Sequence, residues 1–177
     1  IYKPKYIYIY NQKYYQFIKQ ELADTKIMIL DNEQLHSYLK CNESDLTLLA
    51  IAGYESLNFL ESIFLNTKNI GLVNKECVVS AGHLLSKLIK KYKVNIFPLD
   101  SEHYSLYNYF ENKNNKINYE KIYLTASGGP FFNIKYLDLK NIKLKEAIKH
   151  PKWKMGFKNS IDSATLTNKC LEIIEAH

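Results

Sequence analysis

The sequence predicts an α/β protein whose parallel sheet is covered by helices, and three observations lead to this fold class. Short runs of β-branched, aromatic and leucine residues alternate with segments of helical spacing through residues 1–100. Most of these runs are continuously apolar, which is typical of strands buried on both faces. The 177 residues are 46% hydrophobic and 24% charged, as in globular proteins. No apolar run reaches the roughly 18–20 residues that a membrane-spanning helix needs.

Five strands are predicted in the first part of the chain, and they alternate with helices. The strands occupy residues 6–10, 27–30, 46–53, 69–74 and 94–100. The first helix shows its spacing at Tyr14, Phe17, Ile18 and Leu22. Because proline cannot donate a hydrogen bond to a neighbouring strand, Pro98 places the fifth strand at a sheet edge or ends it. This order of elements predicts a partial doubly wound, Rossmann-like sheet.

The pattern changes after residue 100. A polar stretch at 111–121 predicts a surface loop, and the run at 121–126 predicts a strand that ends in a Ser-Gly-Gly-Pro turn. A final helix is expected to begin near Asp162 and Ser163. We therefore predict two units, residues 1–97 and residues 98–177, the second being the first half of another α/β domain. Because Ile1 is not methionine and helical spacing continues to His177, we expect the sequence to be a fragment.

Charge and cysteine content narrow the classes of function. The formal net charge is +6, and all 24 basic residues are lysine. Arginine is preferred for reading guanine and for clamping phosphates, so a lysine-rich module that binds nucleic acid or another polyanion is a disfavoured alternative. The three cysteines, Cys41, Cys77 and Cys170, form neither an even disulfide set nor a metal-ligand spacing, which favours a reducing compartment.

Three carboxylates are candidate ligands of a divalent ion. Asp100 and Glu102 follow a buried strand, and an extended backbone would point both side chains to the same side. Glu172 shares a face of the final helix with Asn168 and lies three residues after Lys169. Carboxylate oxygens suit Mg²⁺ or Mn²⁺, and open α/β sheets bind ligands at this end of their strands. The alternative is a solvated acidic turn together with a solvated helix face.

Two serines and one aromatic segment are further candidates. Ser127, followed by two glycines, could hold a phosphate through its hydroxyl and backbone N–H groups, or could belong to an ordinary turn. Ser163 is a candidate N-cap of the final helix, a position that also favours phosphate. Residues 150–156 carry the only tryptophan, a methionine and a glycine, which suits either a lid over a substrate or a loop pinned to the core.

Six blocks of the sequence resemble the 1-deoxy-D-xylulose 5-phosphate reductoisomerase family, in the family's order and at compatible spacing. The blocks are NKE at 74–76, SAG at 80–82, PLDSEH at 98–103, LTASGGPF at 124–131, HPKWKMG at 150–156 and IDSATLTNKCLEIIEA at 161–176. The resemblance covers most of residues 50–177. Each block is modest alone, whereas six in the right order are hard to obtain by accident.

The resemblance implies an NADPH-dependent enzyme of non-mevalonate isoprenoid biosynthesis. Such enzymes rearrange 1-deoxy-D-xylulose 5-phosphate to a branched aldehyde and reduce it to 2-C-methyl-D-erythritol 4-phosphate. The resemblance also implies a divalent metal, Mn²⁺, Mg²⁺ or Co²⁺, that polarises the substrate carbonyl. For the complete enzyme it implies a homodimer without nucleic-acid or membrane partners. It further implies the cytoplasm of a bacterium, or a plastid-type organelle if the source is a plastid-bearing eukaryote.

The family pattern also assigns a role to each candidate residue. The metal ligands would be Asp100, Glu102 and Glu172. The catalytic residues would be Lys75, Glu102 and His150. The residues that contact the substrate would be Lys75, Ser101, Glu102, Ser127, His150, Trp153, Met155, Ser163, Asn168, Lys169 and Glu172. The residues that bind the cofactor would be Asn74, Glu76 and Gly156.

The sequence departs from the family pattern in two respects. It lacks the family's Gly-rich dinucleotide fingerprint, because its six glycines lie at positions 53, 71, 82, 128, 129 and 156. The chain alone is therefore expected to bind NADPH poorly. Tyr104, Leu166, Thr167 and Cys170 also replace the usual residues near the site. Two alternatives stay open: an inactive truncated or decayed fragment of this enzyme, and another metal-dependent α/β oxidoreductase.

Overall fold

The computed structural model describes residues 2–111, 119–149 and 155–177. Its strands are β1 Tyr6–Tyr8, β2 Met28–Leu30, β3 Thr47–Leu49, β4 Asn69–Leu72 and β5 Asn95–Pro98. Its α-helices are α1 Tyr15–Glu21, α2 Asn32–Cys41, α3 Leu60–Leu65, α4 Lys75–Tyr92, α5 Ser101–Glu111, α6 Leu144–Ala147, α7 Phe157–Ala164 and α8 Thr167–Ala176. Short 3-10 helices cover Gln12–Tyr14, Glu55–Phe59 and Tyr136–Asn141. Among the described helices, none combines the length and the apolar character needed to cross a membrane.

The strands form two parallel sheets. Strand β1 pairs with β2, and the second sheet has the order β3-β4-β5. All five predicted strands are present and every pairing is parallel, so the predicted α/β fold class is confirmed. Strand β5 lies at the edge of its sheet and ends at Pro98, as the missing proline N–H requires.

The core surrounds the three-stranded sheet. Ile70 of the central strand β4 is fully buried, and Leu49, Phe64 and Leu88 pack around it from β3, α3 and α4. Truncating such a buried leucine, isoleucine or phenylalanine to alanine costs about 2–5 kcal/mol in proteins. This packing fixes the strand ends, and with them the helices that begin there.

Helix α4 begins at the carboxyl end of β4. Its N-cap is Asn74, whose side chain accepts a hydrogen bond from the backbone N–H of Cys77 at 2.5 Å. Lys75 is therefore the first helical residue and lies directly beyond the central strand. In the same way, α5 starts at Ser101, three residues after β5 ends at Pro98.

The predicted strand at 121–126 does not form. Residues 121–129 have no regular secondary structure, and no paired strand lies beside them in the described part of the chain. Ile122, Tyr123 and Leu124 are 52%, 82% and 40% exposed. A β-branched and aromatic composition favours a strand only where a partner strand and a packed face exist, and both are missing here.

The predicted final helix is two helices. Leu166 adopts left-handed backbone angles, with φ at 60°, and separates α7 from α8. Ser163 therefore lies in the last turn of α7, and the expectation that it caps the final helix is wrong. On α8, Ile173 and Ile174 are each 53% exposed and Cys170 is exposed.

Candidate active site

A cavity of about 660 Å³ lies at the carboxyl ends of the three-stranded sheet. Residues after β3, β4 and β5 line one side, and α7 and α8 line the other. This is the edge at which open parallel sheets bind their ligands, and the volume falls in the range of small-molecule sites. Predicted site residues from distant parts of the sequence meet here. They are Asn74, Lys75, Glu76, Asp100, Ser101, Glu102, Ser127, Met155, Ser163, Asn168, Lys169 and Glu172.

Three carboxylates converge inside this cavity. One oxygen from each of Asp100, Glu102 and Glu172 lies within 4.8 Å of the others. Glu172 is 2% exposed, and the side chain of Asp100 is 13% exposed. Asp100 and Glu102 reach the site from the start of helix α5, so the extended geometry expected for them is wrong although they do converge. Buried carboxylates this close repel one another unless cations stand between them.

Two lysine side chains supply that positive charge. Nζ of Lys75 lies 2.6 Å from Oδ2 of Asp100 and 3.2 Å from Oε1 of Glu172. Nζ of Lys169 lies 2.9 Å from Oε2 of Glu172 and also contacts Glu102. Asn168 completes the network, because its Oδ1 accepts a hydrogen bond from Lys75 and its amide donates to Glu172. The predicted Lys169–Glu172 pair is thus part of a six-residue network rather than a solvated helix face.

The network holds the two lysines and Glu102 in their charged forms. Burial lowers the pKa of Lys75, but its hydrogen bonds and ion pairs with Asp100 and Glu172 outweigh burial and raise the pKa above its ordinary value. The same balance, with Glu102 and Glu172 as partners, raises the pKa of Lys169. For Glu102, burial raises the pKa, but the hydrogen bond and the charge of Lys169 outweigh burial. The pKa of Glu102 is therefore lowered below its ordinary value.

The carboxylate cluster fits a hard divalent ion. Mg²⁺ and Mn²⁺ prefer oxygen ligands, and three carboxylate oxygens that all lie within 4.8 Å of one another can close on one ion with small side-chain movements. Asp100, Glu102 and Glu172 would hold that ion. Lys169 and Lys75 contact the same oxygens, so a metal would compete with them for these ligands.

Hydroxyl groups lie at the opposite rim of the cavity. Ser127 and Ser163 both line it, one from the loop after residue 126 and one from the last turn of α7. At Gly129 the loop approaches the end of α7 closely: a Cβ at this position would lie 3.1 Å from the carbonyl oxygen of Ser163. The φ of Gly129 is +59°. Only glycine combines this backbone conformation with so close an approach. The turn and the helix end thus present their serines to one space.

The predicted cofactor residues lie at the start of α4 and α7. The amide of Asn74 donates to the carbonyl oxygens of Ile51 and Gly53, so this buried side chain ties the end of β3 to the start of α4. Glu76 forms an ion pair with Lys158, which also pairs with Asp162. Gly156 is the N-cap residue of α7 and is exposed, and it does not line the cavity. His150 and Trp153 lie outside the described residues.

Sequence reasoning missed several residues of this site. Ala50, Ile51 and Ala52 follow β3 and line the cavity, and their place after a buried strand could have signalled this. His103 and Glu175 lie beside the carboxylate cluster and form a second group with Asp100. Lys158 was missed because its partner Glu76 is 82 residues away, beyond the reach of any local pattern.

The fold and the site together define an α/β protein that presents acidic and basic side chains at the carboxyl ends of a parallel sheet. Two sequence models of one family match the chain. The model described as 1-deoxy-D-xylulose 5-phosphate reductoisomerase matches residues 1–82, and the model of the C-terminal domain of the same enzyme matches residues 96–177. The chain belongs to the 1-deoxy-D-xylulose 5-phosphate reductoisomerase family.

Curated relatives and solved structures agree with this assignment. The Pelagibacter ubique reductoisomerase is 43% identical over 157 residues, which are 88% of this chain and 40% of the relative. The apicoplastic enzyme of Plasmodium falciparum is 36% identical, over 98% of this chain and 39% of its own length. A crystal structure of the reductoisomerase with NADPH, fosmidomycin and magnesium is 36% identical with a TM-score of 0.80, and the match covers 98% of this chain and 45% of that one.

A second solved structure, the Zymomonas mobilis enzyme in complex with NADPH, is 30% identical with a TM-score of 0.75. The match covers 97% of this chain and 44% of that one. The chain thus spans less than half the length of these relatives. With the family established, the lysine-rich polyanion-binding module and an unrelated oxidoreductase lose their support, and the assembled site does not favour an inactive fragment.

Proposed function

We propose that the protein carrying this chain is a metal-dependent reductoisomerase that uses NADPH to convert 1-deoxy-D-xylulose 5-phosphate to 2-C-methyl-D-erythritol 4-phosphate. One observation carries the proposal. Asp100, Glu102 and Glu172 converge from two separate elements, and the cationic side chains of Lys75 and Lys169 meet them there. This arrangement suits a small anionic sugar phosphate whose oxygens are bound beside a divalent ion.

The divalent ion is proposed to be Mg²⁺ or Mn²⁺, with Co²⁺ as a further candidate. Asp100, Glu102 and Glu172 would hold it. When bound, it supplies a Lewis acid that polarises the substrate carbonyl. Relatives support the metal, because solved reductoisomerase structures contain magnesium.

The residues around the carboxylates are proposed to position the substrate. Lys75 and Glu102 would act at the reacting end, where a charged lysine and a carboxylate can orient hydroxyl groups and exchange protons with them. Ser127, Ser163, Asn168 and Lys169 would bind the phosphate and the nearby hydroxyls. Ser101 and Met155 line the same cavity and would complete the substrate contacts. His150 and Trp153 keep the roles that the family pattern assigns to them, closing over the substrate.

The NADPH site is proposed to lie across the ends of β3 and β4. Ala50 and Ala52 are small and line the cavity there, which allows a planar ring to approach the backbone. Asn74 would act by fixing this rim, since its own polar atoms are already hydrogen-bonded. Glu76 and Gly156 would border the cofactor at the starts of α4 and α7. A solved relative contains NADPH, which supports NADPH as the cofactor.

Two properties of the whole enzyme follow from the family and are part of the proposal. We infer that the complete protein is a homodimer. We also infer that it works in a bacterial cytoplasm, as the bacterial relatives suggest, with a plastid-type organelle as the alternative that the apicoplastic relative illustrates.

The proposal is tested on the full-length protein by following NADPH oxidation with 1-deoxy-D-xylulose 5-phosphate and Mn²⁺ or Mg²⁺. We expect turnover that is abolished by EDTA and restored by the metal. Glu172→Gln should lower kcat/KM at least about 100-fold, because it removes a charged ligand from the cluster. Glu61→Gln is the matched control, since the Glu61 side chain is 78% exposed and lies on α3, away from the cavity.

The result that contradicts the proposal is equally direct. Metal-independent turnover, or a Glu172→Gln variant with the kinetics of the Glu61→Gln control, would show that the carboxylate cluster is not the metal site. No turnover in a folded, dimeric full-length protein would favour the decayed enzyme instead.

A further inference from the structure

Leu166 joins helices α7 and α8 with no loop between them. Its backbone is left-handed, with φ at 60° and ψ at 10°, a conformation that is unfavourable for leucine and that glycine usually occupies at helix ends. The Leu166 side chain lines the cavity and is 52% exposed, so its packing offsets little of this strain. Strained backbone persists where the surrounding structure enforces it, and such residues cluster at functional sites.

Contacts on both sides hold Leu166 in this conformation. Its N–H donates to the carbonyl oxygen of Ser163 in α7 at 3.4 Å, and its own carbonyl oxygen accepts from the N–H of Lys169 in α8 at 3.0 Å. The loop at Gly129 presses against the same place, because a Cβ there would lie 3.2 Å from Cα of Ala164. One residue thus ends the first helix and begins the second.

The change of direction at Leu166 decides which side chains reach the cavity. In an uninterrupted helix each residue advances by about 100°, so the face that carries Asn168 and Glu172 would point roughly 140–180° away from Ser163. In the structure, Ser163 from the last turn of α7 lines the same cavity as Asn168, Lys169 and Glu172 from α8. The left-handed residue therefore brings two opposite helix faces to one space.

The two helices are anchored at different places. Ion pairs of Glu172 and Lys169 with side chains of α4 and α5 hold α8 at the cavity. Helix α7 is tied to α4 at its first turn, through Lys158. A change at Leu166 should therefore displace the last turn of α7, which carries Ser163, while α8 stays in place.

We propose that Leu166 is a positioning residue of the substrate site, and that the site uses its left-handed backbone rather than its side chain. This conformation sets the last turn of α7 so that the hydroxyl group of Ser163 and the polar groups of α8 face one bound sugar phosphate. The inference rests on the substrate site of the proposed function and adds to it a residue that acts through the backbone.

The test compares two substitutions of Leu166 in the full-length protein. Valine keeps an apolar side chain but, being β-branched, strongly disfavours the left-handed conformation, whereas glycine adopts it freely and has no side chain. We expect Leu166→Val to raise the KM for 1-deoxy-D-xylulose 5-phosphate about tenfold, as loss of one hydrogen bond to a charged group does. Leu166→Gly should raise the KM no more than about threefold, because it keeps the conformation. An equal or larger rise in Leu166→Gly would overturn the proposal.

Metal binding separates a displaced Ser163 from general damage to the site. The Kd for Mn²⁺, measured without substrate by the EPR signal of the free ion, should change less than about twofold in Leu166→Val, because α8 and its carboxylate stay in place. A Kd that rises as steeply as the KM would overturn the assignment of a positioning role. Leu84→Val is the matched control, since Leu84 is an exposed leucine inside α4 that does not line the cavity.

A double-mutant cycle with Ser163→Ala tests the route. Ser163→Ala should raise the KM in the parent protein, and it should add less than about twofold once Leu166 is valine, because the hydroxyl group is then already displaced. Full additivity of the two substitutions would overturn the route. If Leu166→Val does not fold, Leu166→Ile, which is also β-branched, takes its place with the same expectations.

Thermal unfolding gives a measurement that needs no substrate. Glycine inside a helix is destabilising, so Leu84→Gly should lower the thermal midpoint, whereas Leu166→Gly relieves strain and should lower it less or raise it. Equal falls in the two variants would overturn the proposal. A parent protein without turnover would contradict the proposed function, and that result is distinct from an active parent whose Leu166→Val variant has the parental KM, which overturns this inference alone.

Discussion

Lys169 has two roles that oppose each other at the carboxylate cluster. Its ammonium group neutralises Glu102 and Glu172, two of the three proposed metal ligands. The raised pKa of Lys169 keeps this charge in place throughout the neutral range. A divalent ion at the proposed site would therefore have to approach against a positive charge that already contacts two of its proposed ligands. The displaced lysine would then be free to bind an anionic substrate.

Replacing Lys169 with methionine should separate these roles. We expect Lys169→Met to lower the Kd for Mn²⁺ about three- to tenfold, because a like charge is removed from the site. The KM for the sugar phosphate should rise in the same variant. Titration with Mn²⁺ and steady-state kinetics measure the two effects, and Lys68→Met is the control, since Lys68 pairs with the exposed Asp45 on the surface. Weaker Mn²⁺ binding in Lys169→Met would contradict this account.

At the level of single residues, motifs in the sequence indicated most of the residues that line the cavity, but not how deeply their side chains are buried. The DSE and NK motifs located Asp100, Glu102 and Asn168, whereas the helical pattern favoured a solvated Glu172 that is in fact 2% exposed. Amphipathic analysis assumes that charge faces water, and α8 does the reverse because the charges are paired across the cavity. Pairing between α4, α5 and α8 spans about 70–100 residues and leaves no local signal.

At the scale of elements, an ion pair connects the starts of α4 and α7. Lys158 of α7 contacts Glu76 in the first turn of α4 and also Asp162, one turn further along its own helix. Burial raises the pKa of Glu76, but the hydrogen bond and charge of Lys158 outweigh burial and lower it overall. Burial lowers the pKa of Lys158, and its two acidic partners more than reverse that effect.

This pair should make stability depend on pH in a defined window. Because the folded pKa of Glu76 is lowered, its stabilisation is present above the unfolded value of about 4.5 and is lost as pH falls through the folded value. At pH 7 we expect Glu76→Gln to lower the thermal midpoint by about 1–3 °C, since a partly exposed pair contributes at most about 1 kcal/mol.

Thermal unfolding of the two proteins between about pH 3 and pH 7 measures this window. The difference between parent and Glu76→Gln should vanish at the acid end, where both carry a neutral side chain. A difference that stays constant across this range would assign the effect to packing rather than to charge. Glu61→Gln should leave the midpoint unchanged throughout, because its lysine partner is 3.9 Å away and both side chains are exposed.

Strand prediction succeeded where a run has a parallel neighbour and failed where the described part of the chain offers none. Strands β1 to β5 alternate with helices, and each lies within the run that the sequence predicts for it. The run at 121–126 has the same composition but no neighbouring strand in the described part of the chain. The predicted final helix is interrupted at Leu166, where neither glycine nor proline is present. Leucine has no preference for positive φ, so the sequence could not have indicated this break.

For the whole molecule, the lysine network predicts a fold that is independent of its metal. Because Lys75 and Lys169 balance the buried carboxylates, the cluster does not need a divalent ion to become stable. This differs from proteins in which metal binding supplies most of the folding free energy. The full-length protein should therefore keep its secondary structure and a cooperative unfolding transition after treatment with EDTA.

Circular dichroism and calorimetry check this expectation. Adding Mn²⁺ at about 100 times its Kd should stabilise the folded state by about 2.7 kcal/mol, the amount that mass action allows. Loss of far-ultraviolet ellipticity on chelation would mean that the carboxylates, rather than the lysines, dominate the energetics of the site. Identical midpoints with and without Mn²⁺ would argue against metal binding altogether.

The family of the chain is indicated both by six short sequence blocks and by the order in which they occur. Six short blocks identified the family from the sequence, and the comparisons extend the match to residues 1–82, where no block was recognised before residue 74. That first part is recognisable mainly through its parallel topology, which repeats across many α/β proteins and so carries little identity of its own.

Asn74 has a consequence for how this enzyme can change over evolution. One side chain caps the helix that begins with Lys75 and also holds the rim formed by Ile51 and Gly53. A substitution there disturbs the end of β3 and the start of α4 at once, so neither can be adapted separately at this position. If the cofactor binds where we propose, selection for a different nucleotide would have to act on side chains such as Ala50 and Ala52, which line the cavity without supporting Lys75. Substitutions that alter the site without disturbing Lys75 are therefore expected at the residues that border the cavity.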